Sequence, residues 1–163
     1  MTHSILCIID MQPYFDASNE PWLLNNVLAE IKKAKKNNDY IIVLEYDGCG
    51  ETHPDIVQAC DGYSRYYHEV KSSQSGAPNI IFIMRENNIQ ADHFIIVGVE
   101  TESCILETVE GIVRKIPKSK VTVVADAINS QYIGDYDHSD VMNYLFDKYS
   151  QVQFKKQMEE ARI

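Results

Sequence analysis

Four stretches decide the fold: SILCIID (4–10), YIIVLEY (40–46), HFIIVGV (93–99) and KVTVVAD (120–126). Each is a short β-branched run that is apolar almost throughout. Continuous apolar runs, rather than strict alternation, mark strands covered on both faces. Between them the period changes to that of a helix. Residues 21–37 begin at Pro21, a favoured first-turn residue, and carry Leu24, Val27, Leu28, Ile31 and Ala34, ending in lysines and two asparagines. Residues 78–87, 102–116 and 138–149 repeat the helical spacing with Ile80/Ile83, Val109/Ile112/Val113 and Val141/Leu145. Strand, helix, strand, helix predicts βαβ units, hence an α/β protein with a mostly parallel sheet and helices on both faces. YYHEV (66–70) reads as a short strand and QVQF (151–154) as an edge strand. The rest of 47–77, with four glycines, reads as an irregular functional loop.

Composition fits this frame. The chain has 163 residues, 45% hydrophobic and 24% charged, which predicts a single domain over 1–163. A chain of this size buries roughly two-thirds of its unfolded surface, so no disulfide or structural metal is required. Net charge is -9. That field opposes a phosphate backbone and an acidic membrane surface, so neither nucleic acid nor membrane is expected as a partner. No apolar run approaches the ~20 residues of a membrane span. The opening MTHSILCIIDMQ (1–12) lacks the basic start and small-residue cleavage site of a secretory signal. The four cysteines form no CxxC pair. The expectation is a cytoplasmic protein with reduced thiols, although Cys49 and Cys60 lie close enough in sequence to pair.

Ligands of open parallel sheets bind at the carboxyl ends of the strands. Asp10 is read as ending the first strand, Lys71 as following the third, and Asp126 as ending the fifth. Cys104 falls at the start of a helix, in GVETESC (98–104), with Thr101 as the expected N-cap. A helix N-terminus and a nearby ammonium favour a thiolate, and a carboxylate can take and return a proton. Such a thiolate predicts fast alkylation below about pH 7. Spacing alone leaves each residue open between this chemistry and ordinary work: Cys104 as apolar filler, Asp10 as a turn residue, Lys71 as a solvated charge. No GxGxxG follows the first strand, which disfavours a dinucleotide-binding protein.

These residues resemble the isochorismatase-like cysteine hydrolases. DMQPYF (10–15) is similar to that family's D-x-Q-x-x-F opening. GVETESC with ILETV after it is similar to G-V-x-T-x-x-C-V-x-x-T. VKSS (70–73) supplies a lysine between them, and VVADAI (123–128) fits a late strand ending in Asp-Ala. The resemblance implies a Rossmann-like three-layer α/β/α sandwich of about six strands ordered 3-2-1-4-5-6. It implies a triad of Asp10 (proton acceptor and donor), Lys71 (charge partner) and Cys104 (nucleophile). It further implies a cis peptide between Val99 and Glu100 and an oxyanion hole from the backbone N–H groups of Glu100 and Cys104.

The implied reaction is hydrolysis of a small-molecule amide or carbamoyl/ureido C–N bond through a thioester. An ester or vinyl-ether hydrolase, and an idle family member serving as a binding module, are the alternatives. Expected substrate contacts are Phe15, Tyr46, Glu100 and Tyr132. Glu100, where a small or apolar residue is usual, would favour a cationic or hydrogen-bond-donating substrate, or else simply face solvent. The family's Asp-x-His metal signature is missing after Asp47. Asp47, His53 and His68 could converge on an ion only in borrowed geometry, and no metal or other cofactor is expected. By resemblance the chain forms a homo-oligomer, a dimer or tetramer.

Overall fold

In the first strand, β1 (His3–Ile9), successive side chains go to opposite faces of the sheet. Ile5, Cys7 and Ile9 join one core and Leu6 and Ile8 the other, all at most 1% exposed. This two-sided burial is what the continuous apolar runs demanded. The computed structural model describes residues 3–132 and 138–157.

Along the chain, β1 is followed by α1 (Pro21–Lys36), β2 (Tyr40–Tyr46), α2 (Pro54–Cys60) and β3 (Tyr66–Lys71). Then come α3 (Ala77–Glu86), β4 (Ala91–Val99), α4 (Leu106–Lys115), β5 (Lys120–Asn129), α5 (His138–Lys148) and β6 (Val152–Lys155). The six strands form one sheet in the order β3-β2-β1-β4-β5-β6, with every neighbouring pair parallel. The order is the one the resemblance implied. Helix α1 covers one face with Leu23, Val27, Ile31 and Ala34, and α2 adds Ile56 and Cys60. Helices α3, α4 and α5 cover the other with Ile80, Ile83, Val109, Ile112 and Leu145. Each such fully buried aliphatic side chain stabilises the fold by about 1.5–3 kcal/mol.

Strand order reverses between β1 and β4, so the crevice for a ligand lies at the carboxyl ends of these two strands. Gly98 lets them close up there. Its φ is +121°, and a β-carbon would lie 2.1 Å from the Ile9 carbonyl oxygen. Only glycine fits, and Glu100 is thereby carried close to Asp10.

Three expectations need correction. Residues 54–60 are helical, because Pro54 starts a turn whose Ile56 and Cys60 reach the core. Seven residues show the helical period only once, too little to read against the glycines around them. Strand β5 continues past Asp126 to Asn129, after a register shift against β4 between Ile96 and Gly98. The Asp126 carboxylate instead accepts the Gln157 backbone N–H at 2.8 Å. Finally, residues 101–105 are a π-turn leading into α4 rather than its first α-turn.

Candidate active site

The chain leaves β1 through Asp10, whose φ is +53°, a left-handed conformation that aspartate tolerates better than most residues. Its backbone N–H donates to the Leu44 carbonyl at 3.0 Å and its carbonyl accepts the Gln12 N–H at 2.8 Å. This turn directs a carboxylate only 1% exposed to the head of the sheet. Gln12 braces it, donating to the Tyr46 and Gly50 carbonyls and accepting the Tyr46 N–H.

Lys71 is the last residue of β3, paired in register with Tyr46, and its side chain is fully buried. Burying an ammonium is costly unless it is paired. Lys71 Nζ lies 3.1 Å from Asp10 Oδ2, donates to the Ser73 carbonyl at 3.0 Å and to Cys104 Sγ at 3.5 Å, and sits 4.2 Å from the Tyr46 ring centroid. Gly76 leaves room for the lysine stem and Leu44, since a β-carbon there would meet Leu44 Cδ1 at 2.3 Å. Asp10, Lys71 and Cys104, from three distant stretches, therefore meet in one buried cluster.

The resting state differs from the sequence expectation. Burial, then the facing Asp10 carboxylate, push the Cys104 thiol up to about 12, against the opposing pull of Lys71. Both causes favour the thiol over the thiolate expected from the sequence. Burial likewise raises Asp10 above the ordinary aspartate range, with Lys71 and the thiol acting against it. The Lys71 ammonium and the Cys104 thiol both act on the Asp10 carboxylate, the ammonium as an ion pair at 3.1 Å. A carboxylate with a raised affinity for protons, facing a thiol, has the chemistry a general base needs.

The peptide between Val99 and Glu100 is cis, as the resemblance implied. Glu100 is 6% exposed and does not face solvent. Its Oε2 accepts the Gln131 N–H at 3.0 Å and meets Ser130 Oγ at 3.1 Å, while Ser130 Oγ also lies 2.8 Å from Glu102 Oε1. Thr101 makes no cap; its hydroxyl pairs with His138 Nε2 at 3.0 Å. Ser130 was missed from the sequence because β5 was ended at Asp126. Running that strand on to Asn129 would have placed Ser130 on the functional edge.

The aromatic candidates divide. Tyr46 lies against Lys71, while Phe15 is half-buried against the α1-side core and meets the Tyr14 ring edge-on at 5.3 Å. Tyr132 is half-exposed, and its N–H donates to Ser130 Oγ at 3.1 Å. A cavity of about 490 Å³ lies nearby, between Tyr14 and the Gly48–Pro54 loop, and its walls do not include the three clustered residues. Asp47, His53 and His68 do not converge. His53 pairs with the Ser18 hydroxyl at 3.0 Å and His68 with Glu45 at 2.9 Å. Among the described residues no group of three or more His, Cys, Asp or Glu side chains is arranged to hold an ion. All four cysteines are free thiols, so Cys49 and Cys60 are not paired.

Comparison with solved structures gives the architecture its place. The nicotinamidase of Staphylococcus aureus superposes with a TM-score of 0.79 at 18% identity, over 95% of this chain and 100% of the other. An isochorismatase-like hydrolase of Alkaliphilus metalliredigens gives 0.76 at 14%, over 99% and 98%. This chain shares the fold of these two hydrolases. A ribonuclease of Caenorhabditis elegans shares that fold, with a TM-score of 0.79 at 21% identity over 95% of this chain and 77% of the other. No family model and no curated protein matches at the level of sequence. Among the described residues no helix is long and apolar enough to cross a membrane.

Proposed function

We propose that this isochorismatase-fold chain is a cysteine hydrolase that cleaves a small-molecule amide or carbamoyl/ureido C–N bond through a thioester. The observation that carries the reading is Lys71 Nζ standing 3.1 Å from Asp10 and 3.5 Å from Cys104 Sγ, all three buried. Asp10 takes the Cys104 proton as sulfur attacks the substrate carbonyl. Lys71 holds both anionic partners in place. The carbonyl oxygen becomes an oxyanion received by the backbone N–H groups of Glu100 and Cys104, where each donor is worth about 3 kcal/mol. Asp10, now protonated, gives that proton to the departing amine. It then deprotonates the water that attacks the thioester, and the thiol recovers a proton as the acid leaves.

Phe15, Tyr46, Glu100 and Tyr132 line the substrate side in this reading. The nicotinamidase likeness supports an amide, whereas a net charge of -9 and three carboxyl groups at the site oppose a polyanion such as RNA. Four free thiols fit a reducing, cytoplasmic setting. A homo-oligomer belongs to the same reading, and light scattering that returned only an 18.7 kDa species would remove it. The deciding experiment is ammonia release from a panel of small amides and ureido compounds. Cys104→Ala should fall to the uncatalysed background. Equal release by wild type and variant would overturn the assignment.

A further inference from the structure

Two buried carboxyls stand at the switch point, and they are compensated differently. Asp10 has an ammonium at 3.1 Å. Among the described residues the donors to Glu100 are neutral, the Gln131 N–H and the Ser130 hydroxyl. The hydroxyl owns one proton and touches both Glu100 and Glu102, so it can donate to only one of them at a time. Glu100 Oε1 is buried with no hydrogen-bond partner among the described residues. The Lys71 ammonium is committed to Asp10, the Ser73 carbonyl and Cys104. The site therefore presents three carboxyls, from Asp10, Glu100 and Glu102, around one ammonium already in use.

Among the described residues Glu100 Oε1 thus lacks a positively polarised partner. Burying an unsatisfied carboxyl oxygen costs about 1–3 kcal/mol, more if it is charged, and a ligand that donates to it recovers that cost. Burial and the charges of Glu102 and Asp10 push the Glu100 carboxyl up, in line with an acid still wanting a donor.

We infer that Glu100 is a substrate-selecting residue: Oε1 receives an N–H or a cationic nitrogen, so the site takes neutral or cationic amides and turns away those bearing a carboxylate. A ureido or amidino group, or an amino-amide, supplies such a donor within a few bonds of the scissile carbonyl. A carboxylate on the same scaffold would meet Glu100 and Glu102 with no free cation in the cluster to receive it. This rests on the hydrolase reading for its substrate, yet it can be read without turnover, because Cys104 itself reports the local field.

The test compares thiol-reactive methanethiosulfonates of similar size at about pH 8: ethylammonium (cationic), ethylsulfonate (anionic) and methyl (neutral). In each case the Cys104 thiolate displaces methanesulfinate and forms a mixed disulfide, located by peptide mass spectrometry. The cationic reagent should modify Cys104 roughly 100-fold faster than the anionic one, and Glu100→Gln should cut that ratio about tenfold. The ratio at the loop residue Cys49 should not change. Should Glu100→Gln fail to fold, Glu102→Gln, at a half-buried position touching the same Ser130 hydroxyl, should cut the ratio about threefold. A ratio near one in wild type, or one unmoved in the folded variant, overturns the selectivity. If the neutral reagent labels Cys104 and amides are hydrolysed while the charge ratio is flat, only the selectivity falls. If the neutral reagent does not reach Cys104, the nucleophile assignment falls and takes the selectivity with it.

Discussion

Neighbouring strand ends of this molecule carry two acid–base pairs of similar length and opposite character. Asp10 meets Lys71 at 3.1 Å, and Glu45 meets His68 at 2.9 Å. The first pair is fully enclosed, with side chains 1% and 0% exposed; in the second His68 is 39% exposed. Burial pushes Glu45 up, but the Thr52 hydroxyl and N–H, each donating at 2.8 Å, and His68 together hold it below the usual glutamate range. At Asp10 the Lys71 ammonium and the Cys104 thiol pull the same way, but the deeper burial outweighs them. A satisfied carboxylate pins a loop. A carboxylate whose burial outweighs its donors keeps a raised affinity for a proton, which the proposed reaction would use. What separates the two pairs is compensation, not residue type.

The largest effect should come from Asp10→Asn, which keeps the shape and removes the base. Ammonia release should fall by about 10²–10⁴-fold. The same change removes the charge that, after burial, does most to hold the Cys104 thiol up, so its pKa should fall from about 12. Alkylation by iodoacetamide at about pH 8 should accelerate while turnover collapses. Slower alkylation together with lost turnover would show that Asp10 positions the thiol rather than charging against it.

Next in size is Lys71→Met. It strands Asp10 in a buried site without its counter-ion, a loss on the order of 3–5 kcal/mol in urea unfolding. Combined with Asp10→Asn, the same substitution should recover much of that loss, because the buried charge goes with its partner. Additive losses would mean that the pair is not coupled, and the contrast with Glu45–His68 would dissolve.

Acid should separate the two pairs without mutation. Asp10 has a raised pKa, so the base is lost as pH falls through a value above the ordinary aspartate ~3.9. Glu45 has a lowered pKa, so its stabilising contribution is fully present above the unfolded-state glutamate value and is lost only as pH falls through its lower folded value. Turnover should therefore decline on acidification before this carboxylate stops supporting the fold. Circular dichroism and ammonia release followed over one pH series should give two separated transitions, activity first. Coincident transitions would assign the acid limb to unfolding.

The fold was largely legible because both faces of its central strands are buried, which writes short apolar runs whose length and β-branched content separate them from buried helix. That Asp10, Lys71 and Cys104 come together was legible in outline because β1, β3 and β4 end where they stand or shortly before them. Protonation was not legible. A helix start and a lysine argue for a thiolate, but desolvation and the Asp10 carboxylate outweigh them, and both depend on what the chain packs around the sulfur. The partners of the histidines were not legible for a related reason. His53 and His68 were weighed as ligands, yet each pins a loop through a long-range contact, with Ser18 and Glu45, that no local pattern announces. Ser130 and the inward carboxyl of Glu100 depend on where β5 ends, and a register shift against β4 moves that point three residues beyond Asp126.

The smallest effects should come from the satisfied pair, and their smallness is what the contrast requires. Thr52→Val removes the hydroxyl that donates to Glu45 Oε2 but leaves the backbone N–H, so unfolding should lose about 1 kcal/mol, near the net worth of one hydrogen bond. His68→Gln removes the exposed end of the ion pair, where solvent already screens the charge, and should cost at most about 1 kcal/mol. Neither side chain has a hydrogen bond or ion pair with Asp10, Lys71 or Cys104 among those of the described residues, so kcat for any amide found to be turned over should stay within about threefold of wild type, about 0.7 kcal/mol in barrier. A tenfold fall in kcat with unchanged stability in His68→Gln would place this outer pair in the reaction and show that compensation alone does not divide structural carboxylates from reactive ones.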